Sequence, residues 1–304
     1  MANNNGGRIC QKCGMNLGQK HLCPICDTPE SGRENSGGGD GFDSAGLEAA
    51  KSRPARLEDR ENADRIQSRP AAEQDNAMAQ YLLGLCYFNG RSVKKDLPEA
   101  VRCFRKAAER GCADAQSFLG RICFLGEGVE KDKSEAVRWL RMAAEQGRAA
   151  EQHLLGMCFF KGEGVEKDIS EAFRWLRMAA EQGDADSQEF LGMCCYSGNG
   201  VRKDVPEALK WWRMAAEQGK ADAQYYLGVC LYKGDGVNKD VSEAVRWFRS
   251  ASAQNMPDAQ YLLGVCCFKG EGVGKNVSEA LKWWRMAAEH GNADAQALLD
   301  RLEL

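Results

Sequence analysis

Between positions 77 and 304, apolar residues recur at helical spacing inside a longer beat of 36 residues. Leu83-Gly84 returns as Leu119-Gly120, Leu155-Gly156, Leu191-Gly192, Leu227-Gly228 and Leu263-Gly264, and Asp300 stands where the next glycine would fall. A fixed period of this size marks a repeat array, in which each unit buries its apolar face only against its neighbours. In the unit 113–148, the stretch from Ala113 to Phe124 reads as a helix. Gly120 inside it costs about 1 kcal/mol against alanine. Its return in six units predicts that a neighbouring helix approaches closely there.

Gly126-Glu127-Gly128-Val129-Glu130-Lys131-Asp132 follows as a turn, with Gly126 a left-handed stop and Val129 an apolar anchor. Asp132 and Glu135 have the spacing of a capping box. The pair recurs at Asp96/Glu99, Asp168/Glu171, Asp204/Glu207 and Asp240/Glu243, with Asn276/Glu279 last. A second helix then carries the stripe Ala136, Trp139, Leu140, Ala143, Ala144, and Gly147 ends it. Each unit is therefore a helical hairpin. Six units are predicted at 77–112, 113–148, 149–184, 185–220, 221–256 and 257–292. A degenerate half-repeat at 58–76, kinked at Pro70, precedes them, and a polar capping helix at 293–304 follows. The expected fold class is all-α, an α/α superhelical solenoid of helix pairs.

The amino-terminal segment belongs to a different chemistry. Cys10-Gln-Lys-Cys13 and Cys23-Pro-Ile-Cys26 are two C-x2-C knuckles separated by nine residues. Four thiolates on two tight turns close a tetrahedral shell around one structural Zn2+. The expected module is a small zinc ribbon at 8–28, resembling known short ribbons, whose metal supplies most of its stability. The alternatives are two disulfides or a redox C-x-x-C, which needs a βαβ context not seen here. Residues 29–57, with Ser36-Gly37-Gly38-Gly39, have the composition of a flexible tether.

Composition narrows the partners. The 304 residues are 43% hydrophobic and 28% charged, with formal net charge −3. Only Arg8, Lys12 and Lys20 are basic around the ribbon, so nucleic acid is not the expected partner. An apolar leader and a run of membrane-spanning length are both lacking, and the expected location is cytoplasmic. The ten array cysteines (Cys86, Cys103, Cys112, Cys123, Cys158, Cys194, Cys195, Cys230, Cys266, Cys267) lie mostly on one strip of the first helix of each unit. Reduced thiols acting as small hydrophobes fit that placement. The Gly-x-Gly pairs follow a helix and read as turns rather than phosphate loops. Ser92-Val-Lys-Lys95 has a serine–lysine spacing known from penicillin-recognising enzymes but stands without supporting motifs. His21, His153 and His290 sit in three different settings, so no catalytic residue and no small-molecule substrate are predicted.

Ala-Asp-Ala-Gln-Tyr-Tyr-Leu-Gly (221–228), Gly-Asp-Gly-Val-Asn-Lys-Asp (234–240) and Glu-Ala-Val-Arg-Trp-Phe (243–248) together resemble the Sel-one-like repeat (SLR), a relative of the tetratricopeptide repeat. The resemblance covers about 77–304. It implies a right-handed superhelix serving as a non-enzymatic adaptor or scaffold for a protein or peptide ligand. It also brings an alternative, because some cysteine-rich members have been linked to β-lactam hydrolysis. Those members pair cysteines between the two helices of a unit, a pattern this chain does not repeat. A further alternative is nucleic-acid contact through the ribbon.

In tetratricopeptide-like stacks the first helices line a concave groove, and the resemblance places partner contacts there. Tyr81, Ser117, His153, Glu189, Tyr225 and Tyr261, three residues before each Gly, differ strongly among units that are otherwise near copies. So do Leu85, Arg121, Met157, Met193, Val229 and Val265, just after it. These twelve are the candidate groove residues, against the alternative of simple drift on an exposed face.

Overall fold

The structure is a computed structural model that describes residues 76–301 together with two short strands, β1 (Arg8–Ile9) and β2 (Asn16–Gly18). The strands pair antiparallel. The proposed zinc ligands Cys10, Cys13, Cys23 and Cys26, the tether and the half-repeat up to residue 75 lie outside the described residues.

Thirteen helices follow among the described residues. First helices of the repeats are α1 (Ala77–Asn89), α3 (Ala113–Leu125), α5 (Ala149–Lys161), α7 (Ala185–Ser197), α9 (Ala221–Lys233), α11 (Pro257–Lys269) and α13 (Ala293–Arg301). Second helices are α2 (Leu97–Glu109), α4 (Lys133–Glu145), α6 (Ile169–Glu181), α8 (Val205–Glu217), α10 (Val241–Ser252) and α12 (Val277–Glu289). The expected all-α repeat architecture is what forms. The helices divide into two compact units, one ending at Leu191 and the other beginning at Gly192, within α7. Inside each unit, hairpins such as α3–α4 and α9–α10 stack on their sequence neighbours.

Local chemistry explains where each helix starts and stops. First helices end on a left-handed glycine, as at Gly126 with φ 80°, whose N–H bonds Ile122 O. Second helices open on Asp or Asn, whose carboxylate or amide oxygen accepts the N–H of the residue three positions on, as in Asp132 Oδ1 with Glu135 N at 2.9 Å. Only this half of the expected capping box is made. The Asp132 N–H, which the box would give to Glu135, bonds instead to Cys123 O at 2.9 Å and ties the turn to the first helix. The freed glutamates turn outward: Glu135 accepts from the Trp139 indole at 3.2 Å and from Arg105 of the preceding repeat at 2.9 Å.

The hairpin closes on a glycine. A Cβ placed on Gly120 would fall 2.8 Å from Leu140 Cγ, and one on Gly264 would fall 2.5 Å from Trp284 Cδ1. Phe104, Leu176, Trp212 and Phe248 crowd Gly84, Gly156, Gly192 and Gly228 in the same way. The close approach read from the sequence is therefore present in all six repeats. Ala136, Trp139, Leu140, Ala143 and Ala144 are buried as their spacing requires. Trp175 and Trp211 are buried too, whereas Trp247 and Trp283 are only half-buried.

A second set of glycines joins one repeat to the next. Gly128, with φ 79°, lies against Leu97 at the start of the preceding second helix, where its Cβ would be 3.0 Å from Leu97 Cβ. Gly236 meets Val205 and Gly272 meets Val241 in the same manner. These pairs are packing turns. The corresponding Val277 is 45% exposed, since no such turn follows it among the described residues, and Phe268 in the same repeat is 44% exposed. The capping end is thus less polar than Asp300 and Arg301 suggest.

Substituting alanine separates a hairpin glycine from one that no neighbour crowds. Gly264→Ala gains helix propensity of about 1 kcal/mol but overpacks against Trp284, a cost of about 1–3 kcal/mol. The expected result is a lower urea midpoint. Gly274, with nothing within 4 Å of its would-be Cβ, is the control, and Gly274→Ala should leave the midpoint within error.

Candidate interaction surface

The helix contacts that set the first-helix face begin with a buried glutamine in every repeat. Gln116 Nε2 donates to Ala108 O at the end of the preceding second helix, at 3.0 Å, and Gln116 Oε1 accepts from Gln146 at 2.7 Å. Gln152 repeats this with Ala144 O (3.1 Å) and Gln182 (2.6 Å), and Gln224 with Ala216 O (3.0 Å) and Gln254 (3.0 Å). In the last repeat Gln260 bonds Ser252 O at 3.3 Å, and His290 Nδ1 stands 2.9 Å from its Oε1. Each of these carbonyls already accepts a turn N–H, as Ala108 O does from Gly111 at 3.0 Å, and the glutamine adds a second donor while finding a buried partner for its own amide. The sequence reading missed this ladder, although glutamine stands at positions 80, 116, 152, 188, 224, 260 and 296.

Around this ladder the twelve candidate groove residues take three kinds of place. Tyr81, Leu85, Met157, Glu189, Tyr225 and Val229 are half-buried. Tyr81 tilts on Phe104 with ring centroids 5.8 Å apart, and Tyr225 meets Tyr226 edge-on at 5.3 Å. Met193 is open, with 42% of its surface exposed. Tyr261 and Val265 are buried, and the Tyr261 carbonyl accepts the Trp284 indole at 3.2 Å.

The third kind makes polar joints between repeats. Ser117 is buried and its Oγ donates to Glu151 Oε1 in the next repeat. Arg121 Nη2 reaches the same oxygen at 3.1 Å, and Arg148 Nε reaches Glu151 Oε2 at 3.2 Å. Arg148 also pairs with Asp114 at 2.8 Å. Burial works against the Arg148 charge, but Asp114 and Glu151 outweigh it and raise its pKa. One joint further on, His153 Nδ1 stands 2.8 Å from Ser187 Oγ and 3.5 Å from Asp184 Oδ1. Ser187 N–H caps on Asp184 at 2.8 Å.

Serine, histidine and aspartate in one cluster invite comparison with a hydrolytic triad. In a triad the serine and the carboxylate use opposite ring nitrogens. Here both face Nδ1, and Ser187 is fully buried, so its hydroxyl is a packing group. Ser92 sits on a turn at φ 60°, and Lys95 Nζ lies 6.0 Å over the Phe88 ring. That turn occupies the place of the packing glycines in the other repeats.

All ten cysteines in the described residues are free, eight of them buried, as the hydrophobe reading expects. Burial pushes the Cys158, Cys230 and Cys266 thiols up to about 12 from an ordinary 9.0.

With this geometry in view, the class is a stack of two-helix repeats built on a Gly contact and a Gln ladder. Residues 77–112, 113–147, 152–184, 185–220, 221–256 and 257–292 match the Sel1 repeat model, and the chain belongs to the Sel1 repeat family. Its structure is similar to that of a protective antigen of uropathogenic Escherichia coli displaying an SLR fold. Identity there is 39% and the TM-score 0.74, over 77% of this chain and 50% of that one. It is also similar to a Sel1 repeat protein from Oxalobacter formigenes, at 34% identity and TM-score 0.64, over 76% of this chain and 68% of that one. The chain thus spans about half the length of the E. coli protein. No curated protein sequence matches it.

The thiol shifts carry a pH dependence with a definite sign. A thiol whose folded pKa is raised stays protonated in the native state while the unfolded chain ionises. That stability is fully present below about 9 and is lost as pH rises toward about 12. Urea midpoints should therefore fall progressively above pH 9, and native-state alkylation of these cysteines at pH 8 should be far slower than alkylation in denaturant. Equal alkylation rates in the two states would contradict the burial.

Proposed function

We propose that the chain is a non-enzymatic adaptor that holds a protein or peptide against its first-helix face, with a zinc ribbon at 8–28 as a second contact. Sel1 repeat proteins are in general protein-interaction scaffolds, which supports the class of activity. The observation that carries the particular surface is Met193, an apolar side chain 42% exposed on a first helix. In the same unit, Tyr225 and Val229 stand half-buried on the first helix of the next repeat. An exposed methionine, with a part-open tyrosine on the next first helix, suits the anchoring of apolar side chains from a partner.

For the ribbon, four cysteines as two C-x2-C pairs are a complete tetrahedral donor set for Zn2+. The antiparallel pairing of Arg8–Ile9 with Asn16–Gly18 brackets the first knuckle in sequence, an arrangement that suits a ribbon hairpin. Two contacts on one tethered chain raise avidity without demanding a tight site at either end. No helix among the described residues is long and apolar enough to cross a membrane.

Two measurements test the halves separately. Peptides selected from a displayed library on the full chain should bind Met193→Glu at least about tenfold more weakly, a loss typical of an interface anchor. Failure to select any binder, or binders indifferent to both Met193→Glu and Tyr225→Ala, would overturn the groove. Elemental analysis of the purified chain should give one zinc per molecule, lost in the double variant Cys10→Ser/Cys23→Ser. A metal-free wild-type chain would remove the ribbon and leave the groove standing.

A further inference from the structure

In five of the six full repeats the third residue of the first helix is small: Ala79, Ala115, Ser187, Ala223 and Ala259. In the remaining one it is Glu151, a carboxylate with only 2% of its surface exposed. Its oxygens are held by Ser117 and Arg121 of the preceding repeat and by Arg148 of its own junction. Ser117 and Arg121 are themselves departures, because the equivalent positions elsewhere include Tyr81 and Leu85, Tyr225 and Val229, or Tyr261 and Val265. The donor pair and the acceptor thus occur once each, and they face one another across a single joint.

We propose that Glu151 is a key that fixes which repeat can stack ahead of it. An array of near copies has a particular hazard: a first helix can accept the wrong neighbour, from its own chain or from another copy, because three joints share one facing pair, Tyr81/Ala115, Tyr225/Ala259 and Tyr261/Ala295. Tyr225 and the completely buried Ala259 stand 34 residues apart, as do Ser117 and Glu151. A repeat carrying Tyr and Val or Leu at the facing positions offers Glu151 no guanidinium and no serine hydroxyl. The carboxylate would then keep Arg148 on Oε2, but Oε1 would be buried without Ser117 and Arg121, which is strongly destabilising. Only the repeat bearing Ser117 and Arg121 satisfies it. The next joint carries a milder version, in which the buried Ser187 hydroxyl faces His153.

The test grafts the wrong neighbour into the full chain. Ser117→Tyr/Arg121→Val gives repeat 113–148 the facing residues of repeat 221–256, and the same variant with Glu151→Ala also removes the key. The first should lower the folding equilibrium constant at least about a hundredfold, with hydrogen-exchange protection lost first in 113–161. Adding Glu151→Ala should return it to within about threefold of wild type, because a Tyr/Val pair over alanine is the arrangement of Tyr225, Val229 and Ala259. Should the first variant fail to fold, a folded triple variant supports the key by itself. A graft within threefold of wild type, or a triple variant no more stable than the graft, would overturn the proposal.

Discussion

Everything in this fold depends on two helices meeting where one of them has no side chain. Gly120 admits Leu140, Gly192 admits Trp212 and Gly264 admits Trp284, in each case closer than a Cβ would permit. The second-helix residue can vary from leucine to phenylalanine to tryptophan because the glycine supplies space rather than shape. That contact fixes the distance between the helices of a hairpin. The position of the turn, and hence of the next repeat, follows from it. The cost in helix propensity is about 1 kcal/mol per glycine, small beside the burial of a Phe or Trp ring in the space it leaves.

Holding repeats together calls for a different chemistry. Stacking hairpins buries the ends of second helices, whose last carbonyls take N–H groups from the turn that follows, as Ala108 O does from Gly111 and Ala216 O from Gly219. The glutamine ladder adds one side chain per repeat to the same carbonyls, reaching back from Gln116 to Ala108 O and from Gln224 to Ala216 O, and so ties each first helix to the second helix before it. The outer side of the joint uses charge: Arg105 bonds Glu135, and Arg213 bonds Glu243 at 2.8 Å. These exposed pairs contribute little individually, about 0–1 kcal/mol. The buried amides matter more, because leaving one unpaired costs about 1–3 kcal/mol.

The hairpins, their glycines and the tryptophan stripe were legible because each obeys a period that a single sequence displays. The capping box was legible only in part. Spacing placed Asp132 and Glu135 together, but it could not show that the Asp132 N–H goes to Cys123 O and that Glu135 is thereby freed for Trp139 and Arg105. Glutamine was passed over for the opposite reason. A polar residue inside an apolar helix reads as surface until its partner is known, and that partner is eight residues back in the previous helix. The candidate face suffered from the same blindness. Variation at 117, 121 and 153 signalled freedom from the common packing rule, yet Ser117 and Arg121 obey a private rule with Glu151.

That distinction bears on where recognition can reside. A repeat position that varies is either released from packing or committed to a local partner, and only burial and bonding tell the two apart. The Ser117 hydroxyl and Arg121 Nη2 are both committed to Glu151 inside the joint, and His153 stands against Ser187 and Asp184. Tyr261 and Val265 are enclosed by apolar packing. Met193 is the most exposed of the twelve, and Tyr225 and Val229 keep part of their surface open. Under the proposed adaptor role, a partner on the first helices would find apolar contact area at Met193, Tyr225 and Val229 in α7 and α9. Charge complementarity would play the smaller part there, because Arg121 and His153 in the other unit already face Glu151, Ser187 and Asp184.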